Sequence, residues 1–80
     1  MTRAEILSKV TELLSDVVEQ PDLKLTESMT AEDVTDWDST NHVRLIVAVE
    51  SEFGIRFETS EIGSPETVGQ LIDLIEKKLK

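Results

Sequence analysis

Apolar residues recur at helical spacing in three separate stretches of this 80-residue chain, and strand-like alternation is confined to Ile55-Arg56-Phe57. Three alternating residues do not make a sheet, so the pattern points to helices packed on helices. In the first stretch Ile6, Val10, Leu13, Leu14 and Val17 follow i, i+4, i+7, i+8, i+11, one stripe that Leu7 and Val18 widen. Thr2 with Glu5 three places later has the form of a capping box, so the helix is expected to begin there. Pro21 sets its latest end, and the predicted stop is near Glu19.

The second helix is predicted from Ser39 to Phe53. Leu45, Val49 and Phe53 form its core stripe with Ile46 beside them, and Gly54 supplies a C-terminal stop. Val43 and Val47 pair on the other side of this helix, facing either solvent, a partner or the preceding loop. A short helical turn is expected over Thr59 to Ile62, before Gly63. The last helix is predicted from Thr67 to about Leu79, with Val68, Leu71, Ile72, Ile75 and Leu79 as its stripe and Thr67 with Gln70 as a capping box. Gly69 in its first turn costs about 1 kcal/mol relative to alanine. Lys77, Lys78 and Lys80 complement the negative end of its dipole.

Between the first two helices runs a long stretch, Gln20 to Asp38, rich in Asp, Glu, Ser and Thr. A loop of that length in a small protein is either functional or hides an element. Thr30 to Asp33 is expected to form one helical turn, and Leu25, Met29 and Val34 to pin the loop to the core. The fold expected is all-α: a small antiparallel four-helix bundle of three main helices and one short one, with a long first loop, in one domain over residues 1–80. With 39% hydrophobic residues the chain can fill one small core, and with no cysteine that core has no disulfide to help it. Capped helices reach from Thr2 to the C-terminus, which favours a free-standing protein.

Charge removes several functions. Eight basic against 17 acidic residues leave −9, which opposes binding to nucleic acid. The longest apolar run, Leu45 to Val49, falls far short of the roughly 20 residues that span a bilayer. Charged Arg3 and Glu5 stand where a signal peptide needs an apolar run, so a cytoplasmic location is expected. The acidity suits either basic partner surfaces or simple solubility.

The informative segment is Asp36-Trp37-Asp38-Ser39-Thr40, where the long loop meets the second helix. Asp38 is a good N-cap, which places the Ser39 hydroxyl near free backbone N–H groups and the positive end of the helix dipole. A phosphate attached there would be stabilised. Asp-Ser at a helix start is also an ordinary cap. A hydrolase built on Asp38, Ser39 and His42 is rejected: Ser39 and His42 share one helix and nothing orients the imidazole. His42 is read as a solvated surface histidine. A calcium loop from Asp36 fails because its sixth position is Asn41 and its twelfth is Val47. No glycine-rich turn exists for a dinucleotide.

The stretch from Asp38-Ser39-Thr40-Asn41-His42 to Glu52-Phe53-Gly54-Ile55, followed by Thr67-Val68-Gly69-Gln70-Leu71, resembles the acyl carrier protein family over nearly the whole chain. The resemblance implies that Ser39 carries 4′-phosphopantetheine through a phosphodiester, installed from coenzyme A by a phosphopantetheinyl transferase. The arm's thiol would hold an acyl or aminoacyl group as a thioester, which fits a chain without cysteine. Asp38 would cap the helix and position Ser39. The chain would be a substrate of enzymes rather than a catalyst, with no metal of its own, and it is expected to be a monomer. Its partners would be an acyl or aminoacyl ligase, a ketosynthase or another acyl-processing enzyme of fatty acid, polyketide or nonribosomal peptide synthesis. The face they meet would include Thr40, Val43, Arg44, Val47 and Glu50, with charge from Glu52 as well. Thr40 stands where most carriers have Leu or Met, Arg44 where an acid is frequent, and Asp36 where a glycine is frequent. The competing reading is an acidic helical interaction module without a prosthetic group.

Overall fold

A computed structural model describes residues 1–79 of the chain, and in it local capping chemistry sets where the first two long helices begin. Helix α1 spans Arg3–Val18. Thr2 Oγ1 accepts the Glu5 N–H at 3.1 Å while Glu5 Oε1 accepts the Thr2 N–H at 2.8 Å, so two otherwise orphaned amides are satisfied together. The Thr2 N–H holds the Glu5 carboxyl below the ordinary carboxylate range. Glu19 ends α1 in the left-handed region, at φ 56°.

A 3₁₀ turn follows at Ala31–Asp33. Helix α2 spans Ser39–Phe53 and stops at Gly54, whose φ of 66° suits glycine best. Helix α3 is the short Thr59–Ile62, and α4 spans Val68–Leu79 with Lys77 and Lys78 in its last turn. Lys80 lies outside the described residues. The result is a bundle of four helices with no strand among the described residues.

The core is built from the predicted stripes, except that Leu13 and Val17 are only partly buried and Leu79 is exposed. Ile6, Val10 and Leu14 of α1 meet Leu45, Ile46 and Val49 of α2 and Val68, Leu71, Ile72 and Ile75 of α4, all buried. Phe53 is only partly buried, and Ile55 and Phe57 beyond it complete that end of the core. Helix α1 packs on both α2 and α4. Leu25 and Val34 are buried and Met29 is partly buried, which ties the long loop to the core as expected. Trp37 is a further anchor that apolar spacing did not single out, since it lies on a loop without periodicity.

The start of α4 corrects one expectation. Thr67 Oγ1 accepts the Gln70 N–H at 3.1 Å, but the Gln70 side chain reaches the Glu66 N–H at 2.8 Å instead of completing the box on Thr67. The amides of Val68 and Gly69 are satisfied by the long loop itself, through the carbonyls of Met29 and Glu27 at 2.9 and 2.8 Å. Gly69 is what lets the loop come that close: a Cβ there would lie 3.0 Å from the Glu27 carbonyl oxygen. Arg3 supports the same junction, pairing with Glu27, Asp73 and Glu76 at 2.5–2.6 Å. Helix propensity alone says that Gly69→Ala gains about 1 kcal/mol. Displacing a backbone segment held by two hydrogen bonds costs more, so Gly69→Ala is expected to destabilise the protein by about 1 kcal/mol net. A urea titration with a higher midpoint than wild type would refute this.

Candidate functional site

Ser39 is the first residue of α2, and its side chain is exposed. The loop ahead of it is held in place by local bonds. Asp38 Oδ1 accepts the Asn41 N–H at 2.9 Å and the Asp38 carbonyl accepts the His42 N–H at 2.8 Å, so Asp38 caps α2 as predicted. Asn41 Nδ2 donates to the Asp36 carbonyl at 2.7 Å. Trp37 N–H closes a turn on the Val34 carbonyl at 3.3 Å, with Asp36 at its third position and φ 68°. That backbone conformation explains why a glycine suits the position, and aspartate is among the side chains that tolerate it.

With Asp38 serving the Asn41 amide, the N–H groups of Ser39 and Thr40 have no acceptor among the described residues. They stand at the positive end of a helix of 15 residues. An exposed hydroxyl beside free amides and that dipole suits an attached phosphodiester. A surface groove of about 460 Å³ adjoins Ser39, lined among others by Trp37, His42, Val43, Ile62 and Pro65. The chain has no thiol of its own. Hydroxyl, amides and groove are together compatible with the phosphate-linked arm that the resemblance implies.

His42 is not a solvated surface residue. Its Nδ1 lies 3.1 Å from Trp37 Nε1 and its Nε2 lies 2.7 Å from the Ile62 carbonyl, so both ring nitrogens are engaged. The two rings lie 6.0 Å apart between centroids. Sequence spacing placed His42 on α2 but gave no sign of its contact with the end of α3, 20 residues later. The one available signal was a lone tryptophan two residues before Ser39.

Thr40, Val43, Arg44 and Val47 recur at i, i+3, i+4, i+7 and share one exposed face of α2. Val43 is 51% exposed and Val47 59%, so neither is buried against the long loop. Arg44 has no ion-pair partner among the described residues. Glu50 borders this face only partly exposed, and its Oε2 accepts the Phe57 N–H at 2.8 Å. Its carboxylate therefore fastens the connection after α2, a role that helical periodicity did not reveal. Glu52 is exposed. No helix among the described residues is long and apolar enough to cross a membrane.

No protein-family model matches the chain. Individual proteins do. It is 35% identical over 78 residues to the acyl carrier protein of Thermotoga maritima, covering 98% of this chain and 96% of that one. It is 34% identical to the acyl carrier protein of Petrotoga mobilis, covering 99% and 93%. Among solved structures it is similar to the holo acyl carrier protein of Geobacter metallireducens, with a TM-score of 0.82 and 36% identity over 91% of this chain and 84% of that one. The crystal structure of the Thermotoga maritima acyl carrier protein gives a TM-score of 0.84, with 30% identity over 96% and 89%. Near-complete coverage, this identity and the same fold lead to one conclusion: the chain belongs to the acyl carrier protein family.

Proposed function

We propose that Ser39 is the attachment point of 4′-phosphopantetheine and that the chain carries acyl or aminoacyl groups between biosynthetic enzymes. The observation that carries this reading is the exposed Ser39 hydroxyl at the first position of α2, next to amides with no acceptor among the described residues. In the modification, Ser39 Oγ would form the phosphodiester with the phosphopantetheinyl phosphorus of coenzyme A. The Ser39 proton is lost and 3′,5′-ADP departs. The bound group would supply a terminal thiol on which cargo is held as a thioester.

In this reading the chain's own residues bind and orient. Asp38 fixes the first turn, the Ser39 and Thr40 amides face the anionic link, and Trp37, Val43 and Ile62 offer apolar surface beside it. The chain is then a substrate and partner of a phosphopantetheinyl transferase, a ligase and a ketosynthase or related enzyme, acting in the cytoplasm, and is not itself a catalyst. Thr40, Val43, Arg44 and Val47 form the docking face, with Glu50 at its edge.

Incubation of the unmodified protein with coenzyme A and a broad-specificity phosphopantetheinyl transferase tests the reading. The intact mass is expected to rise by one phosphopantetheinyl group, and fragmentation to place it on Ser39. A mass that never rises would favour a plain acidic interaction module. The docking face has its own test. Val47→Asp is expected to slow loading by the cognate ligase about tenfold, the effect of losing ~1.4 kcal/mol of interface energy. Because Val47 is exposed, helix content should not change. Unaltered loading kinetics would remove Val47 from the face.

A further inference from the structure

We propose that His42 is a positioning residue for Ser39, acting as a tautomer-specific latch that protonation releases at one end only. The latch stands on geometry; its kinetic consequence rests on the reading of Ser39 above.

An indole N–H can only donate and a peptide carbonyl can only accept. His42 Nδ1, 3.1 Å from Trp37 Nε1, therefore holds a lone pair. His42 Nε2, 2.7 Å from the Ile62 carbonyl, holds the proton and donates it. Only the neutral Nε2–H imidazole serves both partners. It joins three segments: the loop before Ser39, the first turn of α2 and the end of α3.

A proton added at Nδ1 sets one N–H against another. The Nε2–H is unaffected, so the tie between α2 and α3 survives. Trp37 alone loses its partner. The indole is 8% exposed, and its N–H must then stay unsatisfied or turn toward water. Trp37 precedes the Asp38 cap directly and closes the turn on Val34, so its release loosens the backbone that presents Ser39. Around the groove, the loop offers Ala31 and Trp37, and the segment from α3 onward offers Ile62, Gly63 and Pro65, none of them charged. Asp38 is the one charged group lining the groove with His42, and its carboxylate already accepts the Asn41 N–H. The latch is thus closed with a neutral ring and open when Nδ1 carries a proton.

The chain holds a single tryptophan and a single histidine, so each gives one unambiguous NMR signal. The full-length ¹⁵N-labelled protein is followed from about pH 5 to 8, where imidazoles change charge. The indole N–H resonance is expected to shift with the same midpoint as the His42 ring protons. A flat indole signal across the ring's titration would overturn the latch. In His42→Gln the amide can accept from Trp37 and donate to Ile62 without titrating. The indole exchange rate of wild type relative to His42→Gln should therefore rise about tenfold from the top to the bottom of the series, the worth of one hydrogen bond. For modification of Ser39 by a phosphopantetheinyl transferase with coenzyme A, the ratio of wild-type to His42→Gln kcat/KM should fall over the same range. A constant ratio would overturn the positioning role. Failure of both proteins to be modified at all would sink the reading of Ser39 and leave the indole titration untouched.

Discussion

Ser39→Ala is expected to gain no mass from coenzyme A and transferase under conditions that convert wild type fully, while melting within about 0.5 kcal/mol of it. The separation follows from where Ser39 sits. Its side chain is exposed and makes no hydrogen bond among the described residues, so the fold does not depend on it. The helix cap is Asp38, whose Oδ1 serves Asn41, and the core stripe begins further along at Leu45. Asp38→Ala is the informative companion. It is expected to cost about 1 kcal/mol of stability, the usual worth of an N-cap. It should also slow modification without abolishing it, because the hydroxyl remains while the turn beneath it frays. A Ser39→Ala protein that still gained the full mass would move the attachment point elsewhere and undo the functional reading. Circular dichroism on the same samples separates lost chemistry from lost structure.

Leu45→Ala is expected to reduce unfolding stability by about 3 kcal/mol, within the range for a buried leucine truncated to alanine. Leu45 is fully buried where α2 joins the stripes of α1 and α4, and surrounding helices collapse only partly into the space it leaves. At 0.05–0.15 kcal/mol per residue, a protein of 80 residues has a total of about 4–12 kcal/mol. One methyl-rich side chain therefore accounts for a quarter or more of it. The melting temperature should fall by roughly 12–24 °C. Val47→Ala, on the same helix but exposed, should stay within about 0.5 kcal/mol. Equal losses for the two variants would mean that the assigned burial of the two faces of α2 is wrong.

Much of the fold was legible because its signals are local. Thr2 with Glu5, Asp38 before Ser39, and Gly54 after Phe53 mark helix ends through bonds or backbone angles within a few residues. The stripes of α1, α2 and α4 are periodic, so their buried members could be named in advance. The placement of Ser39 was legible for the same reason, since a cap and a helix start define its chemical surroundings; the role proposed for it came from the family resemblance.

What the chain does beyond those signals came from residues distant in sequence. Glu50 had the spacing of a face residue, yet its carboxylate turns to the Phe57 amide. His42 had the composition of a solvated surface, yet its ring is held between Trp37 and the Ile62 carbonyl. Gly69 looked like a propensity defect until the Glu27 carbonyl took its amide and came within 3.0 Å of where a Cβ would sit. Sequence alone determined the helices, the caps of α1 and α2 and the placement of Ser39 at a helix start, because short-range geometry suffices for each. Tertiary structure alone decided the path of the long loop and the partners of Glu50, His42 and Gly69. Such contacts depend on where separate segments meet in space, and periodicity along a chain carries no record of that.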